Sequence, residues 1–259
     1  MPRFAANLSF LFQDLPFEKR FAAASRAGFK AVEYMFPYDY PIDMLQGLLK
    51  DNNLEQVLCN MYPGDWEKGE RGLAVLRDRE DDFKKAVDLA IRYASALGIP
   101  KVNCMAGINV ENAEAVRPFL IKRLRHAAKA FADHGLIVVI EPINPIDMPG
   151  FFLNYTRQSL DLIEIVGEPN LKVQYDIYHA QRMEGELIST MRNNLDKIGH
   201  IQLADVPGRH QPGTGEINYP NVFKAIDEMG YKGWIGLEYK PLSDTLGSFS
   251  WISAYGYSL

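Results

Sequence analysis

The sequence predicts an α/β fold, a single-domain (β/α)8 TIM barrel. Three observations carry this: eight short β-rich runs, longer stretches of helical periodicity between them, and a unit length that divides the chain evenly. Strict alternation of strand and helix implies a parallel sheet. Eight repeats in 259 residues come to about 32 residues each, the size of a strand, a helix and two loops. The open doubly wound sheet is the competing arrangement, and it is disfavoured because no glycine-rich GxGxxG turn follows the first strand. No Ser/Gly/Pro-rich linker divides the chain, so one domain over residues 1–259 is expected.

In chain order the strand candidates are Phe4 to Ser9, Ala31 to Tyr34, Gln56 to Asn60, Lys101 to Met105, Ile137 to Glu141, Lys172 to Asp176, His200 to Leu203 and Trp234 to Glu238. The first begins directly after Met-Pro-Arg, without the basic and apolar segments of a signal peptide. Asp82 to Leu97 reads as a helix because Phe83, Val87, Ala90, Ile91, Ala94 and Leu97 share one face. Pro118 to His134, rich in Ala, Leu and Arg, reads as the next. Gly28, Gly98 and Gly135 each stand between a helical stretch and the following strand, where a left-handed helix terminus favours glycine.

Composition narrows the class. Hydrophobic residues at 47% and charged residues at 24% suit a soluble globular chain with a sizeable core. No apolar run approaches the roughly 18 residues of a membrane span; Leu136 to Ile140 is the longest short one. A cytoplasmic protein with no membrane partner is expected. Cys59 and Cys104 lie outside any CxxC pair, so both read as small buried residues rather than as a disulfide or a zinc site. The net charge of -5, from 28 basic and 33 acidic residues, argues against a nucleic-acid partner.

Barrels of this kind place their chemistry at the C-terminal ends of the strands, on inward-pointing side chains. Strand parity then picks out four residues. Glu141 shares a face with Ile137 and Val139, Asp176 with Lys172 and Gln174, Gln202 with His200, and Glu238 with Gly236. The last four strands therefore each bring one oxygen-bearing side chain to a similar height, and three of these are carboxylates. Three carboxylates converging in one mouth repel unless a cation sits among them. An all-oxygen set of Glu141, Asp176, Gln202 and Glu238 is hard and suits Mg²⁺ or Mn²⁺. His179, three residues past Asp176, is expected in a loop over the site, within reach of a substrate oxygen.

The loops after the last two strands carry Arg209, His210 and Lys240, cations on the same rim that suit an anionic end of a small molecule. The glycine-rich segment from Asp205 to Gly215 lacks the Lys-Ser/Thr ending of a phosphate-binding loop. The segment Pro63 to Gly72, with Trp66 between glycines, reads as a lid. The aromatic tail from Phe249 to Tyr257 has two readings, packing on its own barrel or on a second copy in a homo-oligomer.

Several stretches are specific enough to carry a resemblance: Arg3 to Ser9, Phe36 to Asp39, Gly64 to Trp66, Gly69 to Gly72, Ile140 to Asn144, Gln174 to His179, Gln181 to Gly185, Gly199 to Gln202, Pro212 to Tyr219 and Glu238 to Pro241. Together they resemble the hydroxypyruvate isomerase family of xylose-isomerase-like barrels, which includes the 2-oxo-tetronate isomerases. The resemblance implies a metal-assisted aldose-ketose isomerisation in which Glu141 and Glu238 shuttle a proton across an enediolate. By the same resemblance Asp176 and Gln202 complete the metal site, and His179 and Arg209 meet the substrate. Related ketose epimerases carry histidine where Gln202 stands, which places the chain nearer the hydroxypyruvate-type branch.

The expected reaction interconverts hydroxypyruvate and 2-hydroxy-3-oxopropanoate, with 2-oxo-tetronate isomerisation or ketose epimerisation as the alternative. Two other classes remain to be tested. One is a metal-dependent nuclease of the endonuclease-IV kind, whose trinuclear zinc site needs more histidines than the five present. The other is a barrel that binds a small acid without catalysis.

Overall fold

The computed structural model describes residues 1–108 and 112–259. Eight strands close into one parallel barrel in sequence order: β1 (Arg3–Asn7), β2 (Ala31–Glu33), β3 (Glu55–Asn60), β4 (Lys101–Asn103), β5 (Ile137–Ile140), β6 (Leu171–Asp176), β7 (Ile198–Leu203) and β8 (Trp234–Leu237). Closure comes from β1 pairing with β8 in parallel, Arg3 opposite Trp234 and Ala5 opposite Gly236. The outer helices are α1 (Phe17–Arg26), α2 (Ile42–Asp51), α3 (Glu80–Leu97), α4 (Ala113–Ala132), α5 (Thr156–Val166), α6 (Ile177–Met183), α7 (Leu187–Asn193), α8 (Tyr219–Glu228) and α9 (Ser250–Ala254). Closure bears out the barrel and removes the doubly wound alternative.

Element ends differ from the sequence reading by a few residues, each for a local reason. β1 stops at Asn7 rather than Ser9 because the Asn7 side chain accepts the Ser9 N–H at 3.0 Å, which turns the chain. α4 starts at Ala113, five residues before Pro118, because Asn112 caps it by accepting the Ala115 N–H at 3.1 Å. Pro118 therefore sits inside the helix rather than opening it. Gly98 and Gly135 do adopt left-handed backbone, each at φ 69°. Cys59 and Cys104 are free and buried.

The barrel interior is layered. Ala5, Ala31 and Val57, with Trp234 against them, form a small apolar plug at the N-terminal end. Above the plug the interior turns polar, and the apolar bulk lies outside, between strands and helices. No helix among the described residues is long and apolar enough to cross a membrane.

The aromatic tail packs on its own barrel. The Trp251 ring lies 5.2 Å from Phe4 of β1, edge-on, and 5.4 Å from Phe223 of α8, stacked. Trp251→Ala removes the centre of this cluster and is expected to cost about 3–5 kcal/mol in chemical denaturation. A loss under about 1 kcal/mol would show that the tail contributes no core.

Candidate active site

The four strand-end residues converge at the barrel mouth as parity requires. Asp176 ends β6, Gln202 lies near the end of β7, and Glu141 and Glu238 are the first residues past β5 and β8. All four are buried. Glu141 Oε2 accepts from Asn103 Nδ2 of β4 at 2.9 Å. Asp176 also caps α6, its Oδ1 accepting the Tyr178 N–H at 2.8 Å. That leaves Asp176 Oδ2 buried with no hydrogen-bond partner among the described residues.

His179 is not in a loop. α6 begins immediately after Asp176, and its first turn carries His179 inward, where it is buried. The ring's orientation follows from its neighbours. Asn144 Oδ1 accepts the backbone N–H groups of Ile146 and Asp147 at 3.1 and 2.9 Å, so its amide nitrogen faces His179 Nδ1, 2.7 Å away. The Asn144 backbone N–H adds a second donor to Nδ1 at 3.3 Å. Nδ1 is thereby the acceptor and Nε2 carries the proton. Nε2 lies 3.5 Å from Asp176 Oδ2 and 3.9 Å from Glu141 Oε1.

Of the rim cations, one enters the site. The Arg209 guanidinium pairs with Glu238, lies 3.5 Å from Asp176 Oδ2 and 3.8 Å from Asp147 Oδ2, and sits over the rings of Phe10 and Tyr178. Lys240 and His210 do not join it. Lys240 is exposed and borders a groove of about 790 Å³ with Ser9, Phe10, Gln13 and Met35. His210 Nδ1 bonds the Lys240 carbonyl at 2.7 Å. In the segment read as a lid, Trp66 is half-exposed under the Arg71 guanidinium, 3.7 Å from its ring.

Strands β1, β2 and β4 contribute polar side chains that the sequence reading missed, and these join residues of β6 and β7 in a polar tier. Asn7 Nδ2 donates to Glu33 at 2.9 Å and to Glu238 at 3.1 Å. Gln202 Nε2 donates to Glu33 at 2.7 Å and also to Glu238. His200 Nε2 meets Glu33 Oε2 at 2.7 Å, and Gln174 Nε2 donates to Gln202 Oε1 at 2.5 Å. Gly236 makes room for Glu33: a Cβ there would lie 2.2 Å from the carboxylate. Asn7, Glu33 and Asn103 lie on the inward faces of β1, β2 and β4, the last two strands being only three residues long.

The electrostatics follow from burial. Desolvation, then the charges of Glu238 and Asp176, holds the Glu141 carboxyl well above the ordinary carboxylate range. Burial likewise lifts Asp176 to about 6 and Glu238 to about 8, with Arg209 partly opposing both. Burial, aided by Arg209 and Arg182, depresses His179 and keeps it neutral. Glu141, Asp176 and His179 each offer a ligand atom within 4.8 Å of the others, all buried. An unpartnered carboxylate oxygen inside an acidic cluster is a donor set that a divalent metal fits.

The sequence profile of the xylose isomerase-like TIM barrel family matches residues 21–255. The chain belongs to that family. It is 50% identical over 257 residues to a hydroxypyruvate isomerase of Escherichia coli (strain K12), covering 98% of this chain and all of the other. It is 45% identical to a 2-oxo-tetronate isomerase of Cupriavidus necator, covering 98% and 99% of the two chains. A crystal structure from Brucella melitensis, described as an AP endonuclease of family 2, superposes with a TM-score of 0.96 at 43% identity, covering 98% and 99%. The family and its curated relatives make this chain an isomerase.

The raised carboxyl pKa values fix the sign of a pH effect. A carboxyl whose folded pKa exceeds its unfolded value gives up its proton more readily when unfolded, so folded stability falls as pH rises between the two. In chelator, Tm is expected to fall from pH 5 to about 8, where Asp176 and Glu238 ionise. Added Mn²⁺ is expected to raise Tm more at pH 8 than at pH 5, because it needs ionised ligands. A metal effect independent of pH would contradict this reading.

Proposed function

We propose that this isomerase interconverts hydroxypyruvate and 2-hydroxy-3-oxopropanoate by moving a proton between adjacent carbons, with Mg²⁺ or Mn²⁺ bound among Glu141, Asp176, Gln202 and Glu238. The observation that carries the reading is the convergence of two buried glutamates from β5 and β8 beside Arg209 and the Nε2–H of His179. The bound cation supplies charge neutralisation for the carboxylates and for the negative charge that develops on the substrate oxygens. Gln202 joins the set by position. Its oxygen now accepts from Gln174 Nε2, so coordination requires both amides to reverse, Gln202 turning its oxygen toward the ion and Gln174 turning its Oε1, buried without a partner, to accept from Gln202.

The chain's own groups account for the proton. The barrier is the acidity of a C–H beside a carbonyl. One glutamate takes the proton from C3 of hydroxypyruvate as the C2=C3 enediolate forms, and a proton is delivered to C2 from the other glutamate or the same one. The proton of the C3 hydroxyl passes to the C2 oxygen as the C3–O bond becomes the aldehyde, so the C2 carbonyl becomes the new hydroxyl and atoms and charge balance. Without a metal, burial raises the proton affinity of Glu141 and Glu238; a cation held by both would lower it, so the glutamate that abstracts would be the one held less closely by the ion. His179 donates from Nε2 to a substrate oxygen, and Arg209 takes the substrate carboxylate.

The substrate is anionic and small, but the groove beside Lys240 has room for a longer acid, which favours 2-oxo-tetronate as the second reading. The description of the Brucella melitensis protein suggests action on DNA. Of the three histidines near the mouth, His200 is committed to Glu33, His210 to a backbone carbonyl and His179 Nδ1 to Asn144, too few free ring nitrogens for a histidine-rich zinc site.

Turnover of both acids with Mn²⁺ tests the reading. Glu238→Gln and Glu141→Gln are each expected to lower kcat by about 10²–10⁴-fold with Tm unchanged or raised, as deletion of a positioned base does. Near wild-type kcat in either variant would sink the two-glutamate assignment. Asp176→Asn is expected to weaken Mn²⁺ binding by about tenfold or more in calorimetry, and unchanged affinity would remove Asp176 from the metal site.

A further inference from the structure

Arg209 has positive backbone φ, 60°, a conformation that a bulky side chain adopts only when its surroundings impose it. The surroundings are the loop between β7 and α8, and the loop is organised by one side chain. Asp205, two residues past β7, is 0% exposed. Its carboxylate accepts four backbone N–H groups, two per oxygen: Val206 at 2.9 Å and Ile217 at 3.1 Å on Oδ1, Gly213 at 2.9 Å and Gly215 at 3.0 Å on Oδ2. These donors come from both ends of the loop, so the carboxylate draws its two halves together. The backbone of the same residue closes the segment between: Asp205 N–H donates to His210 O at 2.8 Å, and Arg209 N–H donates to Asp205 O at 3.1 Å. The Lys240 N–H, donating to Arg209 O at 2.7 Å, ties the turn to the end of β8.

Among the described residues no lysine, arginine or histidine forms an ion pair with Asp205. Its negative charge is met by backbone dipoles alone, the arrangement that holds a loop in one shape. Gly215 is part of the device, since a Cβ there would lie 2.0 Å from Val206 O and 2.6 Å from Asp205 Oδ1.

We propose that Asp205 is a positioning residue for Arg209, holding its guanidinium where the substrate carboxylate binds; this rests on Arg209 being the group that takes the substrate carboxylate. Asp205→Asn keeps size and shape but turns an NH₂ toward two N–H donors, so the loop opens locally while the barrel stands. The test uses the full-length, Mn²⁺-loaded enzyme. Asp205→Asn is expected to raise KM for hydroxypyruvate about tenfold or more and change kcat by less than about threefold, with the Mn²⁺ Kd within about twofold. In an Arg209→Met background the same substitution is expected to change kcat/KM less than about twofold, because the route through the arginine is already gone.

A second readout needs no turnover. Phenylglyoxal modification of Arg209, followed by mass spectrometry, is expected to run about fivefold faster or more in Asp205→Asn, as local opening exposes the guanidinium. If wild-type enzyme turns over neither acid, the substrate reading fails and this rate alone decides the role of Asp205. If Asp205→Asn does not fold, Gly215→Ala breaks the same network from the other side and is held to the same outcomes. An unchanged modification rate, or an equal loss of kcat/KM with and without Arg209, would overturn the proposal.

Discussion

Three buried carboxylates, Glu141, Asp176 and Glu238, face one another across the barrel mouth, and the rest of the site is arranged around the repulsion this creates. Each strand end could be stable alone; together they are stable only if protonated, paired or bridged by a cation. Pairing is seen in the structure, and protonation is favoured by burial. Burial lifts the carboxyl pKa values, with neighbouring acids including Glu33 adding to it, and the Arg209 guanidinium pairs with Glu238 close to Asp176. The third is the proposed metal, which needs the same oxygens in their ionised form.

Beneath this cluster, the tier of Asn7, Glu33, His200, Gln174 and Gln202 turns a barrel interior into a template. Amide groups of Asn7 and Gln202 bridge Glu33 to Glu238, so the orientation of a proposed catalytic carboxylate depends on a glutamate two strands away, across β1. The apolar plug of Ala5, Ala31 and Val57 is small enough to leave room for that tier. His179 shows the same economy: Asn144 uses its oxygen on its own loop and its nitrogen on the ring, which fixes the tautomer that can donate into the site.

The fold was legible because hydrophobic periodicity changes between strand and helix throughout the chain, and because a parallel sheet of eight such units closes most simply as a barrel. Glu141, Asp176, Gln202 and Glu238 were legible by parity alone. Glu33 and Asn103 obey the same parity, but β2 and β4 are three residues long, too short to show an alternation. Asn144 and Asp205 act through backbone hydrogen bonds, which leave no periodic trace. The start of α6 was hidden because Asp176 serves as strand end, site carboxylate and helix cap at once, so His179 read as a loop residue. Lys240 read as a substrate cation from its place on the rim; the backbone of its turn bonds Arg209, and its exposed side chain borders the groove beside the site.

The central claim is that buried carboxylates move a carbon-bound proton, and the most direct measurement is exchange at carbon. Hydroxypyruvate incubated with Mn²⁺-loaded enzyme in D₂O, followed by NMR, is predicted to take up deuterium at C3 as 2-hydroxy-3-oxopropanoate appears, with both signals lost on chelation and in Glu238→Gln. Binding of the acid without any exchange at carbon would contradict the account.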